Sequence, residues 1–184
     1  MTSIIKVNTI QDAGGNALLT SNGSGTITTN NIGGQNTPTF YGEKAAILDL
    51  SRGVVTQVTG FTSNEIDTNT AFDGTTFTVP SGQAGKYVVT VSMTINFDDE
   101  GNDGENFIVY LYKNGSSVKQ AVAGTNASTD RNIARETVTI YSIIDLAASD
   151  TLTYYAYGVD ANGGGGGTIE ATNSSVSGYK LIGV

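Results

Sequence analysis

The sequence predicts an all-β protein built around one sandwich, and three observations carry that prediction. The stretch Phe77 to Phe97, FTVPSGQAGKYVVTVSMTINF, joins a turn to an almost pure two-residue alternation. Tyr87, Val89, Val91, Met93, Ile95 and Phe97 point one way and Val88, Thr90, Ser92, Thr94 and Asn96 the other, as a strand with one buried face requires. The same alternation returns in Phe107 to Lys113, Ile133 to Leu146, Thr151 to Val159 and Thr168 to Val184, with turn-rich intervals between. At 184 residues and 38% hydrophobic, the chain can hold one good core and no more than one principal domain.

The elements follow in order along the chain. Residues 1–36 form a leader and linker, and residues 37–184 the body. All nine Tyr and six Phe fall at Phe40 or later, so the leader lacks the large side chains that dominate core burial. It carries Ile4, Ile5, Val7, Ile10, Leu18, Leu19 and Ile27, broken by the turn signals Gly14-Gly15-Asn16 and Asn22-Gly23-Ser24-Gly25. Short strands of this kind cannot bury themselves and are expected to pack on a partner or on copies of themselves. Thr29 to Thr37 reads as the linker. In the body, strands are expected near Lys44 to Leu50, Gly53 to Thr59, Phe72 to Val79, Lys86 to Phe97, Phe107 to Lys113 and Val118 to Ala123. Three more follow at Ile133 to Ile144, Thr151 to Val159 and Thr168 to Ile182. Asn114-Gly115 is a hairpin signal because both residues tolerate positive φ. Asp145 to Asp150, DLAASD, is a second tight connection. Up-and-down strand order sends Asp98 to Asn106, Gly124 to Asn132 and Asp160 to Gly167 to one end. It sends the turns at Ser81 to Gly85, Asn114 to Ser117 and Asp145 to Asp150 to the other.

Composition excludes several chemistries. A net charge of −8 repels a nucleic-acid backbone or an anionic membrane at long range, so neither is an expected partner. With no His and no Cys, there is no Ser-His-Asp or Cys-His nucleophile, no thiolate metal site and no disulfide. MTSIIKVNTIQD is too short and too polar for a signal-peptide core or a membrane span, so an extracellular role would call for release by another route, such as lysis as part of a virus particle, or for a signal already removed. Asp98, Asp99, Glu100, Asp103 and Glu105 crowd one loop in the manner calcium uses, but DDEGNDGENF does not follow the EF-hand order and reads as a solvated acidic loop. No metal and no cofactor is expected, and no catalytic residue is assigned. The run Gly163 to Gly167 lacks the Lys-Ser/Thr of a phosphate loop and reads as an adaptable tip. The candidate binding residues on the loop end are Asp98, Asp99, Asp103, Glu105, Arg131 and Asn162.

Three segments carry a family resemblance. Val79-Pro80 followed by Gly85-Lys86-Tyr87 resembles the "VP…GxY" opening of tumour-necrosis-factor-like and complement-globular-head jelly rolls. TVTIYSIIDLAASDTLTYYAYG (Thr137 to Gly158) resembles the paired strands around that family's "Leu-x-x-Gly-Asp" turn, with Ser149 standing where the family has glycine. VSGYKLIG (Val176 to Gly183) is similar to its closing strand. The resemblance covers Phe40 to Val184 and implies an eight-to-ten-strand jelly-roll sandwich that assembles as a homotrimer. The residues point the same way, because Tyr141 and Ile143 lie opposite Val138 and Ile140 on a two-sided strand. Ile182 and Val184 likewise lie opposite Tyr179 and Leu181. Tyr141, Ile143 and Ile182 are the candidate trimer-interface residues.

The leader TSIIKVNTIQDAGGNALLTSNGSG, with its "K-V-x-T-I-Q-x-x-x-G-N" run at Lys6 to Asn16, resembles the start of many bacteriophage tail-fibre and virion-surface proteins. Together the two resemblances imply a non-enzymatic virion protein made in the host cytoplasm. In it the leader docks on other virion proteins, and a trimeric head projects outward to bind a host-surface glycan or protein or to decorate the capsid. The alternative is a secreted complement-head-like ligand or lectin of cellular origin.

Overall fold

The computed structural model describes residues 7–25, 27–29, 36–97, 104–124, 133–160 and 165–182. They fall into two compact units, one within residues 1–35 and the other within residues 36–182. The first is a three-stranded antiparallel sheet of β1 (Thr9–Gln11), β2 (Ala17–Ser21) and β3 (Ile27–Thr29). The β1–β2 turn is held by Asp12, whose Oδ1 accepts the Gly14 and Asn16 amides at 2.8 and 2.9 Å and whose Oδ2 accepts Asn16 Nδ2 at 2.9 Å. The Asn16 side chain and backbone amide hold this carboxyl below the usual aspartate range. None of the described residues in this unit is buried, and Val7, Ile10 and Ile27 are exposed. Val7, Ile10, Leu19 and Ile27 line a shallow apolar hollow of about 120 Å³.

The second unit is a two-sheet sandwich. Its strands are β4 (Thr39–Lys44), β5 (Leu48–Asp49), β6 (Thr56–Gln57), β7 (Phe61–Asp67), β8 (Thr76–Thr78) and β9 (Gly85–Asn96). They continue with β10 (Gly104–Lys113), β11 (Ser116–Gly124), β12 (Arg135–Leu146), β13 (Thr151–Asp160), β14 (Thr168–Ile169) and β15 (Ser175–Lys180). One sheet runs β5-β14-β9-β15-β4-β7, with β12 on the other edge of β9; the second runs β11-β10-β13-β6, with β8 also on β13. Every described pairing is antiparallel, with first strand beside last.

The core comes from alternate residues of both sheets. Tyr87, Val89, Val91, Met93, Ile95 and Phe97 are all fully buried, facing Phe107, Val109 and Leu111 of β10 and Leu152, Tyr154 and Ala156 of β13. Each such side chain contributes about 1.5–3 kcal/mol relative to exposure, which fixes the register because a one-residue slip would turn all of them to water. Phe40 stacks on Phe77 at 4.5 Å between ring centroids and tilts against Phe72 at 5.1 Å. The buried Tyr87 hydroxyl donates to the Gln83 carbonyl at 2.6 Å, and burial pushes its pKa up to about 12.

Several strands depart from the sequence expectation. Lys44 to Leu50 is not one strand: the ladder is β4, whose inward positions are Phe40, Gly42 and Lys44. Gly42 breaks the apolar pattern because a Cβ there would lie 2.5 Å from Phe72 Cε1. Gly53 to Thr59 contributes only β6 to the ladder. Phe61–Asp67, a mixed and largely polar sequence, forms the edge strand β7 that no apolar alternation announced. Thr168 to Ile182 is split into β14 and β15 by a turn in which Thr172 has φ 60°. The buried Ser174 accepts the Thr94 amide on Oγ at 3.0 Å, so a side chain replaces a ladder bond at the break. Since β15 ends at Lys180, Ile182 lies beyond the strand rather than on one of its faces.

The two ends of the sandwich differ. At one, Lys113 Nζ lies 2.8 Å from Asp150 Oδ2, Asn114 Nδ2 donates to Asp150 Oδ1 at 2.7 Å, and the Ala147 amide donates to Asp150 Oδ2 at 2.7 Å. Lys113, then Asn114, then the Ala147 amide hold the Asp150 pKa down at about 2. Asn114 (φ 51°) and Gly115 (φ 77°) make the two-residue hairpin, and Ser149 (φ 69°) adopts the left-handed conformation that suits glycine. The chain enters the sandwich at this end, where the Lys180 amide donates to the Pro38 carbonyl at 3.1 Å.

Candidate interaction surfaces

The opposite end launches three connections from adjoining strand ends. Gly104 pairs with Asp160, the Ile133 amide donates to the Gly104 carbonyl at 3.0 Å, and the Phe97 amide donates to the Ala134 carbonyl at 2.8 Å. Of the candidate loop residues, Glu105 is exposed on β10. Asp98, Asp99, Asp103, Arg131 and Asn162 lie outside the described residues. Among the described residues no group of three or more Asp or Glu could hold a metal ion.

Backbone hydrogen bonds tie together the strand ends under these connections. The glycine run was expected to be an adaptable tip, yet its last two residues are buried and pinned. The Gly166 amide donates to the Leu50 carbonyl at 3.0 Å, and the Leu50 amide donates to the Gly167 carbonyl at 2.9 Å. Gly166 lies so close to β13 that a Cβ on Gly158 would meet its carbonyl oxygen at 1.8 Å. Glycine here serves close approach of two backbones.

The outer face of the β12-β9-β15-β4-β7 sheet carries one apolar row and beside it a mixed row with tyrosines flanking Thr90 and Ser177. Register sets Ile143 opposite Val88 and Val88 opposite Tyr179, and in the next row Tyr141 opposite Thr90, Ser177 and Tyr41. Tyr141 is 68% exposed, Ile143 56% and Tyr179 37%, while Val88 between them is only 4% exposed. Ile66, beyond Tyr41, and Ile182 are exposed too. Alternation alone placed Tyr141 and Ile143 on this face.

The second sheet has an outer face that the sequence reading did not single out. Tyr110 and Tyr112 of β10 stand outward beside Tyr155 and Tyr157 of β13, with Tyr110 opposite Tyr155 and Ile108 opposite Tyr157. Their signal lies in the same alternation, on the side opposite the buried Leu111 and Tyr154.

No family model matches this sequence, and no curated protein matches it. Solved structures do match its backbone. The Eiger tumour necrosis factor of S. frugiperda superposes with a TM-score of 0.56 at 11% identity, covering 78% of this chain and 91% of that one. Murine APRIL gives 0.56 at 9% identity over 78% and 98%. The globular domain of zebrafish complement 1qA gives 0.55 at 13% identity over 79% and 98%. The body is a tumour-necrosis-factor-like jelly roll. At these identities the likeness fixes the fold alone; of the motifs, Val79-Pro80 sits on the β8–β9 connection, Gly85-Lys86-Tyr87 opens β9, and Val176 to Lys180 lies in β15 of that jelly roll.

Proposed function

We propose that this protein is a non-enzymatic structural component of a bacteriophage virion, a homotrimer whose leader docks on the particle and whose jelly-roll head projects from its surface. The observation that carries the trimer is the exposed apolar face of Tyr141, Ile143 and Tyr179. Side chains of this size arranged contiguously on one sheet face are what a symmetric interface buries. The leader supports docking, since none of its described residues is buried and Val7, Ile10 and Ile27 are left in water. Its resemblance to phage leaders supplies the particle. The head's long connections would then serve as the outward end, and attachment to a host or decoration of a fibre, tail or capsid are the roles open to such a projection.

The test has two arms. Light scattering of the full chain should give three times 19.0 kDa, and Tyr141→Asp with Ile143→Asp should give the monomer mass. A monodisperse monomer of the parent chain at micromolar concentration refutes the trimer. Mass spectrometry of purified phage particles should find the chain, and a version lacking residues 1–34 should fold but fail to incorporate. The secreted-ligand alternative predicts recovery from cell medium and absence from particles.

A further inference from the structure

We propose that the outer face of the β11-β10-β13 sheet, with the hollow beside it at β8, is a binding site for a neutral oligosaccharide. The proposal goes beyond the virion reading and does not depend on it. Three observations carry it.

The first is the aromatic platform. Tyr112 and Tyr155 lie 4.2 Å apart between centroids with a 33° tilt, and Tyr110 meets Tyr112 edge-on at 6.2 Å. The rings brace one another and remain partly open to solvent. Such rings offer flat apolar surface to the C–H faces of a pyranose, at low cost in side-chain entropy because only two torsions are fixed.

The second is what surrounds the rings. One cross-strand row reads Gln120, Tyr110, Tyr155, Gln57, and the next continues from Tyr112 through Thr153 to Thr76. From Ile108 to Tyr112 and at every described partner position across the sheet, the outward residue is uncharged. Yet the chain carries 26 charged residues with a net charge of −8. Amides and hydroxyls of this sort pair with sugar hydroxyls in both directions. A sialylated, sulfated or phosphorylated glycan would find no counter-charge here and would meet the repulsion of the whole molecule. Charge therefore selects a neutral ligand.

The third is the hollow, which shares Thr76 with the platform. It is about 350 Å³, within the range of about 300–1,000 Å³ that holds small ligands, and is lined by Asn69, Thr70, Asp73, Thr76, Thr78 and Pro80. Asn69 (φ 71°) and Thr70 (φ 50°) are consecutive left-handed residues without a glycine. A β-branched residue held there is strained, and strain of this kind collects where a backbone is fixed for a ligand. A hollow beside an extended ring platform fits an oligosaccharide better than a flat protein surface.

The experiment probes the full chain on an array of neutral hexose and N-acetylhexosamine oligosaccharides beside sialylated, sulfated and phosphorylated ones. The best binder is then titrated by calorimetry. We expect binding confined to neutral glycans, weakened at least tenfold by Tyr155→Ala and by Gln57→Ala, and largely retained in Tyr155→Phe. Since the chain has nine Tyr and no Trp, the same titration should change tyrosine fluorescence in the parent and not in Tyr155→Phe with Tyr112→Phe if those two hydroxyls report the contact. Melting and light scattering confirm each variant's fold, and Gln57→Ala, a surface change, carries the test should Tyr155→Ala unfold. No binding at millimolar neutral glycan, binding of charged glycans only, or affinity indifferent to Tyr155 and Gln57 overturns the proposal. So does a change of oligomeric state in Tyr155→Ala, which would make this face a protein interface.

Discussion

Gly158→Ala should unfold the head far more readily than its size suggests. Gly158 sits in the interior-facing register of β13, opposite Phe107, and its φ is not positive, so the substitution tests space rather than backbone freedom. The added methyl would lie 1.8 Å from the Gly166 carbonyl oxygen, 2.9 Å from the Gly166 carbonyl carbon and 3.1 Å from Ile95 Cδ1. An ordinary contact needs more than 3 Å, so one backbone must retreat by over an ångström. The Gly166–Leu50 and Leu50–Gly167 hydrogen bonds stand in the way of that retreat. Overpacking costs about 1–3 kcal/mol, and loss of two buried backbone bonds adds about 0.5–1.5 kcal/mol each. The expected total is about 2–6 kcal/mol, a large part of a stability of about 5–15 kcal/mol. At about 2–4 °C per kcal/mol for a domain of this length, the melting temperature should fall by roughly 4–24 °C. The assay is thermal denaturation by circular dichroism at one fixed protein concentration, because assembly would make the midpoint concentration-dependent. Gly82→Ala is the companion measurement. Gly82 has φ 75° and nothing near its missing Cβ, so it should lose only about 1–2 kcal/mol, the cost of the left-handed conformation. A drop under 2 °C for Gly158→Ala, or one no greater than for Gly82→Ala, would refute the close-approach argument.

Ser149→Gly should raise the melting temperature by about 2–4 °C, since Ser149 already holds φ 69° and glycine relieves about 1 kcal/mol of left-handed strain; an unchanged or lower midpoint counts against it. Asp150 has a folded pKa of about 2 against an ordinary 3.8. Its contribution to stability is therefore complete above about pH 4 and lost as pH falls through 2. Urea unfolding of the parent between pH 5 and pH 2 should show that loss, and Asp150→Asn should be less stable at pH 6 with a flatter acid limb; parallel acid limbs would contradict the assignment.

How much of this was legible depended on whether a residue's partner is local. The strand Lys86 to Phe97 could be read within a residue or so at each end because one whole face is buried, and burial of one face imposes period two. Asn114-Gly115 was legible because positive φ at two successive residues is a demand only a few residue types meet. The first strand was not. Its inward position Gly42 is shaped by Phe72, thirty residues away, and no local pattern records that. The split between β14 and β15 depends on Ser174 reaching the Thr94 amide, again a distant partner. The same distinction runs through the candidate surfaces. Tyr141 and Ile143 followed from alternation, whereas Ile182 was assigned a face by extending a strand that stops at Lys180. The glycine run looked free because Leu50, which holds it through two backbone hydrogen bonds, is more than a hundred residues away in sequence. The tyrosine face went unread because its rings lie on four alternating positions of two strands whose pairing no single segment displays.

The place of β4 has a mechanical consequence. Its ladders to β15 and β7 run along the axis joining the two ends of the sandwich, and ladder bonds lie across the strands. A load pulling Asn36 away from the far end therefore acts along β4 and strains those bonds together. Pulling Asn36 away from Lys180 is different, because Thr39 and Tyr179 are paired neighbours at the same end, and the ladder would peel one bond after another. In a single-molecule experiment, attachment through Asn36 and a cysteine placed at Glu105 should hold to a higher force than attachment through Asn36 and Lys180. Built this way, the sandwich is stronger along the line from Asn36 to Glu105 than along the line from Asn36 to Lys180.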